Sequence, residues 1–336
     1  MIRFLVFTLA VATACTPGAE APAGPTTRPA PATSSTGDTV APEWDTSSPF
    51  AGFSLSPQGF EESGFVEFLE TASAAGDLVA WVGPWQEIDR GGTLVYDLSV
   101  EHGYVPVVVT GFPTDAAGRR VVPDDAAELV DAIADWVADH PVPYLGVGVE
   151  INSFLWEKSP EDLEWFVTAF PQVVAAVHEV SPDTKVFPGF QLERLRGLKS
   201  GLYGEQDTDP EWELIDLFPD ADVIGFTTYP GLIFNSPNEI PDDYYIEILQ
   251  HTDKPIVFTE VGWQAGGELG DWSGTPEDQA DFVATRVGEL AVLSDMLIWS
   301  FLWDQEAAPE PFATMGLIDR SGQTRPAFDL WRNLLG

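Results

Sequence analysis

Glu150 and Glu260 each close an apolar run of the kind that forms a buried strand, Gly146-Val147-Gly148-Val149-Glu150 and Ile256-Val257-Phe258-Thr259-Glu260. A carboxylate in that position is costly to bury without a partner or a task. Taken singly, each suits a partner for a distant arginine or a backbone cap. Taken together, they can do acid–base and nucleophilic work: one carboxylic acid protonates a leaving oxygen while a second carboxylate, about 5 Å away, attacks the carbon that oxygen leaves. The two must then hold different pKa values, which crowding, aromatic walls and mutual repulsion provide. Tyr229, just before Pro230 at the end of a third apolar run, is able to donate a phenolic hydrogen bond that keeps such a carboxylate ionised. As a bland alternative, it is a rim tyrosine in a turn.

These residues need a scaffold that brings distant strand ends together. Eight short β-branched or aromatic runs alternate with stretches of helical spacing: Phe50–Ser56, Leu78–Val82, Val105–Thr110, Tyr144–Glu150, Thr184–Phe190, Asp222–Thr228, Pro255–Glu260 and Leu297–Trp303. Between them, Ala126–His140 places Leu129, Ile133, Trp136 and Val137 on one helical face, and Pro160–Val180 does the same with Leu163, Phe166, Phe170, Val174 and Val177. Eight βα units in series predict an α/β fold, a single (β/α)8 TIM barrel over residues 46–336. The remaining choice, a doubly wound sheet, lacks a Gly-rich phosphate loop after an early strand. Barrel active sites form at the C-terminal strand ends, and runs four and seven, which end in Glu150 and Glu260, face one another across the mouth.

Aromatic residues suit sugars, whose C–H faces pack on flat rings. Trp81, Trp85, Trp156, Trp263, Trp299 and Trp303 fall on or near strand ends; most are expected in the core, with Trp303 and Trp263 facing a ligand. Asn152, Gln191 and Glu193 are expected hydroxyl partners on loops four and five. The four histidines, His102, His140, His178 and His251, are too scattered for a metal set, Gly-x-Ser-x-Gly does not occur, and no metal or cofactor is expected.

Residues 1–14 read as a signal peptide, with Arg3 before the apolar Phe4–Ala12 stretch. Cys15, the single cysteine, resembles the modified residue of a bacterial lipoprotein lipobox, which implies lipidation and an extracytoplasmic, membrane-anchored or secreted protein. Residues 15–45 are rich in Pro, Ala, Thr and Ser and bury too little apolar surface to order themselves, so a disordered tether is expected. The formal charge of −39, from 54 acidic against 15 basic residues, argues against nucleic acid as a partner. It also favours a neutral over an anionic polysaccharide. It equally suits plain solubility in a salty habitat. A monomer is expected.

Four segments together carry a resemblance: GVGVEINSFLW (146–156), GFTTYPG (225–231), TEVGW (259–263) and WSFLWD (299–304). They are similar to clan A glycoside hydrolases, nearest to family 53, the arabinogalactan endo-β-1,4-galactanases, in order along most of residues 50–336 through MGLIDRSGQTRPAFDLW. The resemblance implies a retaining glycosidase with Glu150 as acid/base, Glu260 as nucleophile, Tyr229 hydrogen-bonded to the nucleophile and Trp303 flooring the sugar subsite. The substrate class is then a neutral β-linked polysaccharide or oligosaccharide. Val149 departs from the pattern, which has an Asn for the sugar hydroxyl beside the reacting carbon, and the early strands offer no obvious counterpart of the clan's basic residue near strand two. A catalytically weak or inactive barrel that binds surface glycans is the competing expectation, favoured by Val149.

Overall fold

The computed structural model describes residues 44, 46, 50–59, 61–115, 119–153, 156, 159–269 and 272–334. The expected signal peptide, Cys15 and nearly all of the tether lie outside these residues.

Strands β1 (Phe50–Ser54), β2 (Leu78–Pro84), β3 (Val105–Gly111), β4 (Tyr144–Val147), β5 (Lys185–Phe187), β6 (Gly189–Gln191), β7 (Ile224–Thr228) and β8 (Ile256–Val261) precede a short hairpin, β9 (Glu268–Leu269) with β10 (Trp272–Ser273), and β11 (Met296–Trp299). Nine of these pair in parallel in the order β5-β4-β3-β2-β1-β11-β8-β7-β6, a nearly closed barrel. The two end strands are consecutive pieces of one run, parted by Pro188, which has no N–H to give a neighbour. Counted as runs of chain, the barrel has eight staves, as the eight apolar segments predict.

Alternation along the strands sorts side chains into two layers. Leu78 and Ala80 of β2, Val105, Val107 and Val109 of β3, Val257 of β8, and Met296 and Ile298 of β11 belong to the inner cluster. Their neighbours Val79, Val108, Phe258, Leu297 and Trp299 pack outward among the helices. Both faces are therefore apolar, which is why these strands read as continuous hydrophobic runs.

The outer layer starts with α1 (Glu62–Ala75), α2 (Ile88–His102), α3 (Ala126–Asp139) and α4 (Pro160–Val180). Helix α3 buries Leu129, Ile133, Trp136 and Val137, the face its spacing predicts, and Asp125 caps it by accepting from Ala127 N at 3.0 Å. The βα rhythm is weaker in the second half. After β6 the chain forms one helical turn, Leu192–Leu195, and 3-10 turns at Gly201–Tyr203 and Trp212–Leu217; after β7 it forms only 3-10 turns, the last at Ile246–Gln250. Gly197, Gly201, Gly204, Pro210, Pro230, Gly231, Pro237 and Pro241 interrupt both stretches, and each costs a helix interior about 1–3 kcal/mol. Regular helices return at Pro276–Phe282 and Pro326–Leu334, the latter setting Trp331 against Phe53 and Trp299.

Candidate active site

The strand carrying Glu150 stops earlier than its apolar run suggests. β4 ends at Val147, Gly148 takes φ +87° and Glu150 itself takes φ +47°. A left-handed non-glycine residue costs on the order of 1–2 kcal/mol and persists only when its surroundings impose it. Here Gly148 N bonds Thr110 O at 2.8 Å, Gly189 N bonds Gly148 O at 2.8 Å, and Ile151 N bonds Gly189 O at 3.0 Å. These bonds strap the turn to β3 and β6 and aim the carboxylate into the barrel mouth.

Glu260 reaches the mouth by a bulge. Phe226 pairs with Phe258, but Thr227 pairs with Glu260, so Thr259 is an extra residue between them. With Val257 inward and Phe258 outward, strict alternation would turn Glu260 toward the helices; one inserted residue restores it to the inner side. Val261 then packs outward. Glu260 lines a small cavity, open in part to solvent, together with Ser54, Leu55, Ser56, Val82, Ser300 and Phe301.

Three consecutive residues at the end of β7 connect the carboxylates. Thr227 Oγ1 donates to Glu150 Oε1 at 2.9 Å. Thr228 Oγ1 and Tyr229 N donate to Glu193 Oε1 at 2.7 and 3.1 Å. Tyr229 Oη donates to Glu260 Oε2 at 2.5 Å and lies 2.9 Å from Ser300 Oγ. The pairing of Tyr229 with Glu260 is the contact expected from its place before Pro230. Gln191 Nε2 also reaches Glu150 Oε1, at 3.3 Å.

The other candidate residues are bonded or packed elsewhere than on the two carboxylates. Asn152 uses both ends of its amide on the backbone of Gln191, at 2.9 and 2.8 Å, and so fixes loop four to loop five. Glu193 has no exposed surface. Trp263 is fully buried and stacks on Phe282 with ring centroids 5.3 Å apart, while Trp303 packs against Phe68 at 6.0 Å. Both tryptophans belong to the helix-side cluster, and the ring that lines the cavity is Phe301. Asp304, next to Trp303, forms a two-pronged ion pair with Arg325, both contacts 2.7 Å. Val149 lies in the inner apolar cluster.

Burial pushes all three carboxyls upward. Glu260 is raised to about 8 by burial and then by the charge of Glu150, against the Tyr229 hydroxyl. Glu150 is raised by burial, opposed by the Thr227 hydroxyl, the guanidinium groups of Arg120 and Arg194, and the Gln191 amide. Glu193 rises to about 7 through burial, despite its bonds from Thr228, the backbone and Tyr244. Two hydrogen bonds and two cations favour an ionised Glu150, whereas one hydrogen bond favours an ionised Glu260, so the proton of the pair rests more easily on Glu260. That order is the reverse of the roles the resemblance implies. Arg120 and Arg194 are buried and follow β3 and β6 rather than strand two. Charge type alone does not mark them in the sequence, because burial of a cation depends on tertiary packing. Among the described residues no cluster of His, Cys, Asp and Glu could hold a metal.

No protein-family model matches the chain, and no curated protein matches it in sequence. Solved structures do match. A family 39 glycoside hydrolase from the gut symbiont Bacteroides cellulosilyticus WH2 aligns with TM-score 0.58 at 15% identity over 88% of this chain, which spans 65% of that one. The Ignisphaera aggregans GH53 catalytic domain aligns with TM-score 0.56 at 16% identity, covering 84% of this chain and 95% of that one. Xylanase 10B from Thermotoga petrophila RKU-1, solved with xylobiose, aligns with TM-score 0.58 at 16% identity over 85% and 94% of the two chains. The neighbours are TIM-barrel glycoside hydrolases of clan A, and at these identities the likeness is one of fold.

Proposed function

We propose that this chain is a retaining glycoside hydrolase acting on a neutral β-linked polysaccharide or oligosaccharide, with Glu150 as acid/base and Glu260 as nucleophile. The observation that carries the proposal is the short bond from Tyr229 to Glu260, made by a strand end that also holds Glu150 through Thr227. In the first step Glu260 attacks the anomeric carbon as Glu150 protonates the leaving oxygen; in the second, Glu150 takes a proton from water, which displaces Glu260. Trp303 and Trp263 support the subsite wall from behind, Asn152 fixes loop four, and Gln191 orients Glu150. Anchoring through lipid on Cys15, outside the cytoplasmic membrane, belongs to the same proposal, as does a place near family 53.

The test is a screen of the protein on nitrophenyl β-glycosides and plant, algal and microbial glycans, with the anomer of the first product followed by NMR. Retained configuration is expected, and Glu260→Ala should lose turnover and recover it with azide as an inverted glycosyl azide. Inversion by the wild type, or full activity in the variant, removes Glu260 as nucleophile. A second reading, a catalytically weak barrel that binds glycans, is favoured by the arginines that stabilise ionised Glu150. It requires retardation in glycan-containing gels with no product from the same glycans.

A further inference from the structure

Glu193 is a third buried carboxylate that the two-carboxylate mechanism does not use. It has no exposed surface. Its Oε1 accepts from Thr228 Oγ1 at 2.7 Å, Tyr229 N at 3.1 Å and Tyr244 Oη at 3.2 Å, while its Oε2 has no hydrogen-bond partner among the described residues. No substrate reaches such a group, so direct sugar contact is not its task. An isolated buried carboxylate is expensive, and the residue it holds is the one whose hydroxyl lies on Glu260. The Tyr229 backbone enters a 3-10 turn at Pro230, where its N–H has no strand partner and takes Glu193 instead.

We propose that Glu193 is a positioning residue, whose carboxylate anchors the end of β7 and through it sets the contact of Tyr229 with Glu260. The role rests on the proposed function for its catalytic meaning but not for its geometry. One oxygen gathers a side-chain hydroxyl, a main-chain N–H and the Tyr244 phenol, so the segment from Thr227 to Tyr229 is fixed at its middle while its two ends touch Glu150 and Glu260. Shifting that segment therefore changes both catalytic carboxylates together. Around Glu193 stand the phenols of Tyr203, Tyr244 and Tyr245, whose own ionisation its charge opposes. Arg196 lies over the Tyr244 ring at 4.4 Å.

The experiment follows the Glu260 carboxyl by carbon NMR in full-length protein labelled at glutamate Cδ, with the resonance assigned by its loss in Glu260→Gln. In Tyr229→Phe the titration midpoint of Glu260 should rise by about one unit, because a hydrogen bond to the ionised form is gone. Glu193→Ala should raise it similarly, and the double variant should rise no further than either single one, since both act through one contact. Glu193→Gln keeps an acceptor oxygen and should return the midpoint to within a few tenths of a unit of the wild type. If Glu193→Ala does not fold, Glu193→Asp, which withdraws the oxygens by one methylene, should give the same rise. An unmoved Glu260 in Glu193→Ala or Glu193→Asp, or additive shifts in the double variant, overturns the proposal. On a hydrolysed nitrophenyl β-glycoside, Glu193→Ala should lower kcat about tenfold and leave KM within about twofold. A wild type that hydrolyses none of the probes counts against the proposed function, while the NMR titration still decides the role of Glu193.

Discussion

At the residue scale the site turns on which groups are held and by what. Tyr229→Phe removes one hydrogen bond from Glu260 and leaves Ser300 without its phenol partner; kcat/KM should fall about 10- to 100-fold, as expected for a charge-assisted bond worth roughly 1.5–3 kcal/mol. An unchanged kcat/KM would take Tyr229 out of the mechanism. Val149 gives a second residue-scale prediction. Its side chain lies in the inner apolar cluster with Val109 and Phe187, so Val149→Asn buries an amide without a partner and should lower stability by about 1–3 kcal/mol with no gain in kcat/KM. A gain on substrates carrying the 2-hydroxyl, measured against their 2-deoxy counterparts, would show instead that position 149 meets the sugar. Glu150, Glu260 and Tyr229 were legible in the sequence because each ends or follows an apolar strand. Trp263, Trp303 and Glu193 shared that signal, yet distance along the chain from a strand end does not say which face a side chain takes. Arg120 and Arg194 carried no signal, since what makes them matter is burial beside a carboxylate.

At the scale of elements, two local irregularities place the two carboxylates, and neither is visible as a pattern of apolar residues. One is the turn Gly148–Glu150, which ends β4 early and holds a left-handed glutamate. The other is the bulge at Thr259, which reverses the facing of Glu260 relative to strict alternation. Period-two reading of Ile256–Glu260 would have placed the two members of the pair on opposite faces of the sheet, so the strand-end position was informative and the alternation was not. The eight strands themselves were legible because burial on both faces leaves an unbroken apolar run, whereas the missing helices after β6 and β7 follow from glycines and prolines that a count of βα units passes over. Gly148 makes the turn testable. A Cβ there would lie 2.7 Å from Phe166 Cζ and would be strained at φ +87°. Gly148→Ala should therefore cost about 2–4 kcal/mol in denaturant unfolding and lower activity beyond that loss by displacing Glu150. A variant as stable and active as the wild type would show that this turn is not imposed by its surroundings.

At the scale of the whole molecule, two kinds of carboxylate act in the same direction for different reasons. The surface carries most of a formal charge of −39, whose self-repulsion grows as pH rises and is screened by salt. Inside, Glu193 at about 7 and Glu260 at about 8 keep protons that an ordinary glutamate, at 4.5, has released. Over that interval the folded state binds more protons than the unfolded chain, so folding stability falls as pH rises. The contribution is fully present below about pH 4.5 and lost as pH passes through about 7 to 8, on the order of a few kcal/mol. Salt separates the two sources. Melting temperature should fall between about pH 5 and pH 9 at ~50 mM salt and fall less steeply at ~1 M, where the Debye length is about 3 Å and surface repulsion is suppressed. The part that survives high salt belongs to the buried carboxyls, which solvent ions do not reach. It should shrink in Glu260→Gln and shrink further in the variant that also carries Glu193→Gln, because a neutral amide has no proton to lose, leaving the share of Glu150, whose carboxyl burial also raises. If ~1 M salt alone abolishes the pH dependence of the wild type, the buried carboxyls are not held above their ordinary range, and Glu150 and Glu260 do not share a proton near neutral pH.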